Sequence, residues 1–490
     1  MTLRQLRRGI SFADMAVGLL FVAFAVTAAL MPAQNDTFWH LRAGADIWRT
    51  GAVPRVDHYS HTFAGAPWPD HEWLAQALLF ATYRLGGMPA LEIGGALLVL
   101  AAATLTWRLM VGPPATRAVV MTIGLALGSA GWVLRPHMLS LVLLATLIWL
   151  LVRQRLRVIP LLFVLWANAH GGVVLGGVAL AAAAAAAGLR WWLRRDAADR
   201  RRAVTLAFVV PLSALACAAS PLGFGIYRFV IESTARSFAV RITEWFPVWP
   251  TNVFGVLFWC AALALLALVI SRRRALVNGS ASAWADWVPI AMAIALLPLA
   301  IRSFRNTPPF VLVATLAANR LLGDDFRFGA LLARVRRAQP RPATPDHPRL
   351  NLALLAGVAT AAIVAVGFVF ASGGDRLGWR PIGDGAAAAL RACDGPLYNR
   401  YDDGGLLIWF VPEKPVFVDG RQDPYPLRFL MDVVAVESGT ASHRPLFDAW
   451  RIRCAFLPAD APIAAELGGQ GWQRRFADDR WVVLAAPPPR

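Results

Sequence analysis

A chain of 490 residues that is 57% hydrophobic and only 16% charged, with a mean hydropathy of +0.52, does not have the composition of a soluble domain. The formal charge of +18 arises from 48 basic and 30 acidic residues. In a soluble protein that excess suggests nucleic acid; here the basic residues sit in short loops between apolar runs, so they report topology and nucleic acid drops out as a partner.

Apolar runs of roughly 17 to 25 residues are the mark of membrane-spanning helices, and backbone in lipid must satisfy its hydrogen bonds internally. The first run, Ile10 to Met31, is too long for the core of a signal peptide and is followed by many others, so it reads as a retained helix. Arg4, Arg7 and Arg8 before it place the N-terminus in the cytoplasm. The run ends at an outer loop, residues 33–87, whose last part, Trp73 to Leu85, reads as an interfacial helix.

Further runs follow, near Met88 to Leu109, Ala118 to Val133, Met138 to Val152, Val158 to Ala169, Val173 to Leu193 and Val204 to Ala219. A second outer loop then reaches Pro250. Later runs end at Arg272, span Trp287 to Ile301, follow Asn306, and span Leu350 to Phe370. The most basic loops all fall on the N-terminal side. The fold class expected is a polytopic α-helical membrane protein of about eleven transmembrane helices, residues 1–370, with a small extracytoplasmic α/β domain over 371–490.

In that last domain VFVDG (Val416 to Gly420) and WVVLAA (Trp481 to Ala486) read as buried strands, and GAAAALRAC as a helix. Cys217 and Cys260 lie in apolar runs, as packing residues. Cys393 and Cys454 lie in the polar domain, where an oxidising compartment permits a disulfide between them.

The stretch from Asn35 to Leu74 carries the chemistry: Asp36, His40, Asp57, His58, His61, Asp70, His71 and Glu72, interleaved with Trp39, Trp48, Trp68 and Trp73. A partly desolvated carboxylate such as Asp36 can take a proton from a hydroxyl. Helix capping explains one such acid; it does not explain acids and imidazoles recurring along the whole loop. Asp70 and Glu72 are the other candidate catalytic acids. His40, Asp57 and His71 are candidate substrate contacts, and Asp36, His71 and Glu72 are candidate ligands should a divalent metal be used. No tight metal motif is met.

Arg135, His137, His170, Arg302 and Arg305 all sit at the outer ends of runs. Such charges are either snorkelling side chains or, taken together, an anion site suited to a lipid-linked phosphate. Asp419 and Arg421, after a strand, are candidate ligand contacts, although a structural turn with an Asp–Arg pair fits the same residues.

An acid just beyond the first helix, then a Trp-rich outer loop ending in an acidic–aromatic motif, resembles the GT-C membrane glycosyltransferases. The likeness is strongest to the protein-mannosyltransferase and aminoarabinose-transferase type. DTFWHLRAG, PRVDHYSHTF, W-x-D-H-E-W-L, WANAHGG, RSFRNTP and VFVDGRQDPY look like a bacterial subgroup of that superfamily. The resemblance implies sugar transfer from a polyprenyl-phosphate donor to a lipid, glycan or protein acceptor on the outer face of the bacterial inner membrane. It implies Asp36 as base and Asp70-His71-Glu72 as the second acidic position. Thr37 stands where many relatives carry a second acid, which argues against a two-carboxylate metal site there. Two rivals share the scaffold: a non-catalytic binder or transporter of lipid-linked glycans, and an O-antigen-ligase-like transferase.

Overall fold

A computed structural model describes residues 9–240, 242–278, 283–323, 326 and 346–487. Arg4, Arg7, Arg8 and most of the basic loop 320–349 lie outside the described residues.

The membrane domain is a helical bundle. Its helices are α1 (Phe12–Ala29), α2 (Asn35–Thr50), α3 (Trp73–Leu109), α4 (Pro114–Gly128), α5 (His137–Val152), α6 (Ile159–Ala169) and α7 (Val173–Arg194). They continue as α8 (Ala197–Ala216), α9 (Gly225–Ala239), α10 (Val253–Asn278), α11 (Trp284–Arg302), α12 (Thr307–Leu322) and α13 (Pro348–Ala371). Six of these, α1, α3, α7, α10, α11 and α13, are long and apolar enough to cross a membrane. The other expected crossings fall on α4, α5, α6, α8 and α12. Those helices are shorter, or in α8 carry Asp199 and Arg200 to Arg202 in the first turns. Of the eleven crossings expected, six are therefore of full spanning length among the described residues.

One correction concerns the outer loop. Residues 35–50 are not loop but helix α2, started by a hydrogen bond from the Gln34 N–H to Thr37 Oγ1 (3.1 Å) and stopped by Gly51 at φ 68°. The Thr37 hydroxyl also donates to the carbonyl of Leu134 (2.8 Å), pinning the first turn of α2 to the segment before α5. The interfacial helix and the second crossing stand as expected: α3 consists of two helices that meet at the non-helical residues Gly86 and Gly87. Gly87 has φ 64° and ψ −149°, a conformation that a side chain would strain, so the turn from membrane surface into membrane rests on that glycine.

The C-terminal region carries α14 (Asp384–Arg391), α15 (Gly404–Phe410), α16 (Leu427–Glu437), α17 (Arg444–Ala449) and α18 (Pro462–Gly469). Its sheet has strands β1 (Leu397–Asn399), β2 (Cys454–Pro458), β3 (Gln473–Ala477) and β4 (Trp481–Ala485) in the order β1-β2-β4-β3. The β1–β2 pair is parallel and the other two pairs are antiparallel. Cys393 and Cys454 form a disulfide, their Cα atoms 6.1 Å apart. The predicted strand at Trp481 is β4. The one at Val416 is buried and extended but lies outside the sheet. It pairs instead with the first outer loop: the Val416 N–H donates to Tyr59 O (3.0 Å) and the His61 N–H to Val416 O (2.9 Å).

That pairing leads into an ionic core. Arg421 donates from Nε and Nη2 to the two Asp419 carboxylate oxygens, both at 2.7 Å, and from Nη2 to Asp57 at 2.7 Å. The Tyr425 hydroxyl donates to Asp419 (2.6 Å), and the Tyr59 N–H to Asp57 (2.9 Å). The guanidinium carbon sits 4.5 Å from the Trp68 ring centroid and 4.8 Å from that of Tyr59. All three charged side chains have 0% exposure. Asp57, Asp419 and Arg421, expected to touch substrate, instead clamp the first outer loop onto the C-terminal domain, and no surface is left on them for a ligand.

Removing one partner strands the others in a dry interior. Arg421→Met is expected to cost about 3–5 kcal/mol, read as a lowered unfolding midpoint in detergent. Cys393→Ser, which opens a bridge between residues 61 positions apart, is expected to cost about 4 kcal/mol in the same measurement.

Candidate functional site

Two side-chain groups gather at the end of the bundle that carries the C-terminal domain. The first is a chain of alternating charges. Asp36, in the first turn of α2, accepts from Arg135 Nη2 at 2.5 Å and from the Trp39 indole N–H at 3.0 Å. Arg135 reaches on through Nη1 to Glu244 at 3.2 Å, and the other Glu244 oxygen pairs with Arg305. Burial pushes the Glu244 carboxyl upward, but Arg305 and Arg135 outweigh it and hold it near 2. The chain is thus two cations and two anions in close contact, partly exposed at both acids (22% and 29%).

Local folding sets each member. Arg135 sits just before α5. Arg305 lies in a single turn, Phe304–Asn306, between α11 and α12. Glu244 is in a turn, Thr243–Trp245, tied to that segment: Ser303 Oγ donates to Glu244 O (3.2 Å) and the Phe304 N–H to Phe246 O (3.0 Å). Arg305 lies over Trp245 at 5.5 Å. Gly420 touches the site from the C-terminal domain, since a Cβ there would meet Asp36 Oδ1 at 2.2 Å. Gly405 abuts the backbone of Asn35 in the same way. The second glycine of YDDGG and the glycine of FVDGR are therefore explained by the close approach of that domain to α2, while Gly404 packs on Val418 and Asp419 within the domain.

The second group surrounds Glu72 at the start of α3. Its carboxyl oxygens lie 3.5 Å from His170 Nε2, 3.8 Å from His40 Nε2 and 3.8 Å from His71 Nε2. The tautomers follow from the other ring nitrogens. The Gly172 N–H donates to His170 Nδ1 (2.9 Å), and the Gln76 amide faces His40 Nδ1 (3.4 Å), so both rings carry their proton on Nε2, toward Glu72. The Trp166 indole donates to Ser140 Oγ (2.8 Å), which is 2.8 Å from His170 Nδ1. Trp73 donates to Asn168 Oδ1 (2.8 Å). WANAHGG and the WL of the first loop are thus one scaffold. Gly172 is required there because a Cβ would stand 2.6 Å from His170 Nδ1.

Spacing alone would make these contacts ion pairs. Burial makes them neutral: it raises the Glu72 carboxyl to about 8, lowers His71 to about 4 and pushes His40 and His170 well below their ordinary value. Glu72 also feels Arg305 and Arg135, which places the two groups side by side.

The remaining candidates fall elsewhere. Asp70 is buried; it accepts from the Glu72 N–H (3.2 Å) and from Gln76 Nε2 (2.9 Å), and so holds the start of α3 rather than facing Asp36. His137 is occupied with Gly131 O (3.2 Å), its ring 6.2 Å from that of His170. Arg302 turns away over Phe238 at 4.6 Å. Among the described residues, no group of three or more His, Cys, Asp or Glu side chains is placed to hold a metal ion. Asp36 is committed to Arg135 and Trp39, and His40 and His170 turn N–H groups toward Glu72, so Asp36, His71 and Glu72 do not form a ligand set for a divalent metal as they stand. Glu244, Gln76 and Trp39 were missed as site residues. The available signal for Glu244 was a lone acid among aromatics in an outer loop.

No protein-family model and no curated protein matches this chain. Two solved structures share its fold. ArnT from Cupriavidus metallidurans in the apo state aligns over 96% of this chain and 97% of its own, with TM-score 0.53 and 16% identity. The oligosaccharyltransferase AglB from Archaeoglobus fulgidus, solved with an inhibitory peptide and a dolichol-phosphate, aligns over 90% of this chain and 69% of its own, with TM-score 0.55 and 11% identity. This chain therefore shares the fold of ArnT and AglB.

A group whose folded pKa is raised stabilises the protein fully below its unfolded value, and that stability is lost as pH rises through the folded value. For Glu72 the window runs from 4.5 to about 8. The unfolding midpoint should therefore fall between pH 6 and pH 9, and Glu72→Gln should flatten that fall in thermal scans across the range.

Proposed function

We propose that this protein transfers a sugar from a polyprenyl-phosphate donor to an acceptor hydroxyl, on the outer face of a bacterial inner membrane, with its N-terminus cytoplasmic. The observation that carries the reading is the Asp36–Arg135–Glu244–Arg305 chain: one carboxylate beside two guanidinium groups that already share a second carboxylate between them.

Glu244 occupies the place an anion would take. A donor phosphate replaces it between the same two arginines, taking over the contacts that Glu244 makes with each of them. A narrow apolar cleft with a cavity volume of about 50 Å³ lies between α1, α3, α4, α5 and α12, lined in part by Trp132 and Pro308. Trp132 is three residues from Arg135, and Pro308 three from Arg305. This apolar wall suits the head of the donor's isoprenoid chain, with its phosphate at the arginines.

In the reaction the acceptor oxygen bonds to the anomeric carbon. The bond from that carbon to the phosphate oxygen breaks, and its electron pair stays on the phosphate, where Arg135 and Arg305 stabilise the growing charge. Asp36 takes the hydroxyl proton, with the Trp39 N–H holding its carboxylate in one rotamer. Glu72, protonated at neutral pH, serves as a hydrogen-bond donor beside the sugar. No step runs through a metal.

Asp36→Asn keeps the shape and removes the base. It is expected to lower transfer in a membrane assay with a polyprenyl-phosphate sugar by about 10²–10⁴-fold while leaving donor binding within about threefold. Undiminished transfer by this variant would rule the base assignment out.

A further inference from the structure

A second ligand site is built on the far side of α2 from Asp36. The side chains of Arg42, Asp46 and Arg49 recur at intervals of four and three, on a helix face different from that of Asp36 and His40. They border an open crevice of about 630 Å³ between α2, the surface segment of α3 and α15. The α3 segment ends at the Gly86–Gly87 break, so the crevice lies where that helix leaves the membrane surface.

Its charge is not balanced. Three arginines (Arg42, Arg49 and Arg84) face one carboxylate, Asp46, leaving a surplus of two positive charges. Asp46 is a fixed anion. Burial pushes its carboxyl up, but hydrogen bonds from His58, Tyr59, Arg42 and Arg49 hold it well below the usual carboxylate range. It accepts from Arg42 Nε at 3.1 Å and from Arg49 Nη2 at 3.0 Å, so one carboxylate orients two guanidinium groups. Arg49 remains 72% exposed, with donors to spare. Arg84 has its guanidinium 5.7 Å from the Trp48 ring centroid.

The aromatic side chains are fixed as well. The Trp48 indole N–H is spent on Ala77 O (2.9 Å), and the residue is 52% exposed, which leaves a large apolar surface locked in the crevice beside Arg84. Across from it Trp409 is held by Tyr83 and Phe80, at centroid distances of 5.2 and 6.5 Å. Headgroup anchoring asks for flexible side chains that follow the lipid. Locked aromatic faces beside oriented guanidiniums suit a rigid ring with an apolar C–H face and an anionic substituent.

We propose that the crevice formed by Arg42, Arg49, Arg84, Trp48 and Trp409 binds an acidic saccharide, a sugar chain bearing carboxylate or phosphate groups. The ring stacks on an indole, its C–H bonds meeting the negative π face, while carboxylate or phosphate oxygens take forked hydrogen bonds from the arginines. Ten residues separate Asp36 from Asp46, about 15 Å along the helix. The two sites also lie on different faces of α2, so the crevice is a saccharide site separate from the reacting centre.

The test is calorimetric titration of the full chain in nanodiscs of phosphatidylcholine, using trigalacturonate, maltotriose and inorganic phosphate as probes. Trigalacturonate should bind about tenfold more tightly than maltotriose, and Arg49→Gln and Arg84→Gln should each weaken it about tenfold. Both side chains are exposed, so a matched unfolding midpoint checks that the variants are folded. Equal binding of the acidic and neutral sugars, or no binding of either, overturns the proposal. So does phosphate competing as well as the trisaccharide, which would mark a bare anion site. Displacement of trigalacturonate when phosphatidylglycerol is added to the nanodiscs would make the crevice a lipid-headgroup anchor instead. The readout is binding, so its outcome stands whether or not Asp36 proves to be a catalytic base.

Discussion

The buried Arg421–Asp419–Asp57 cluster is the constraint on which the candidate site depends. A guanidinium shared by two carboxylates and flanked by Trp68 and Tyr59 costs desolvation that its contacts with both carboxylates offset. Its geometry tolerates little slippage, and it joins residues more than 350 positions apart in the chain. Because the first outer loop is fixed to the C-terminal domain in this way, Gly405 and Gly420 can abut α2. Asp36 is then enclosed from the membrane side by Arg135 and from the domain side by Gly420.

A site next to lipid cannot carry unbalanced charge cheaply. Here the balance is met in two ways. Around Asp36 it is met by pairing, two acids against two arginines. Around Glu72 it is met by neutralisation, with burial raising the acid to about 8 and lowering the imidazoles. The first kind of site exchanges anions readily, because an incoming phosphate can take over contacts that Glu244 now makes. The second donates and accepts hydrogen bonds without adding net charge. Together they suit a reaction in which charge builds on a departing phosphate next to a neutral sugar.

Much of the membrane domain was legible in the sequence, because lipid imposes a long apolar period that local sequence must obey. The helix starts at Phe12, His137, Val173 and Pro348 lie within a few residues of their expected positions. Asp36, Arg135 and Arg305 were legible as acids and bases at membrane boundaries, and His40, His71, His170 and Glu72 as imidazoles and an acid in the same place. Helix α2 was missed because its polar residues, crowded with Asp and His, hid its period. Asp57 was misread as a substrate contact, while for Asp419 and Arg421 the structural Asp–Arg pair is the reading that holds; a buried ion cluster and a ligand site draw on the same residue types, and only tertiary burial separates them. Glu244 was passed over because its role depends on Arg135 and Arg305, more than sixty residues away on one side or the other.

The central claim is that the guanidiniums of Arg135 and Arg305, now bridged by Glu244, form the seat of a lipid phosphate. Phosphorus NMR of a short-chain polyprenyl phosphate titrated into the protein in micelles tests it directly. The account predicts a saturable shift in the wild-type protein, tighter binding in Glu244→Gln, where the competing charge is gone, and loss of the shift in the Arg135→Gln/Arg305→Gln double variant. An unchanged titration in the double variant would contradict it.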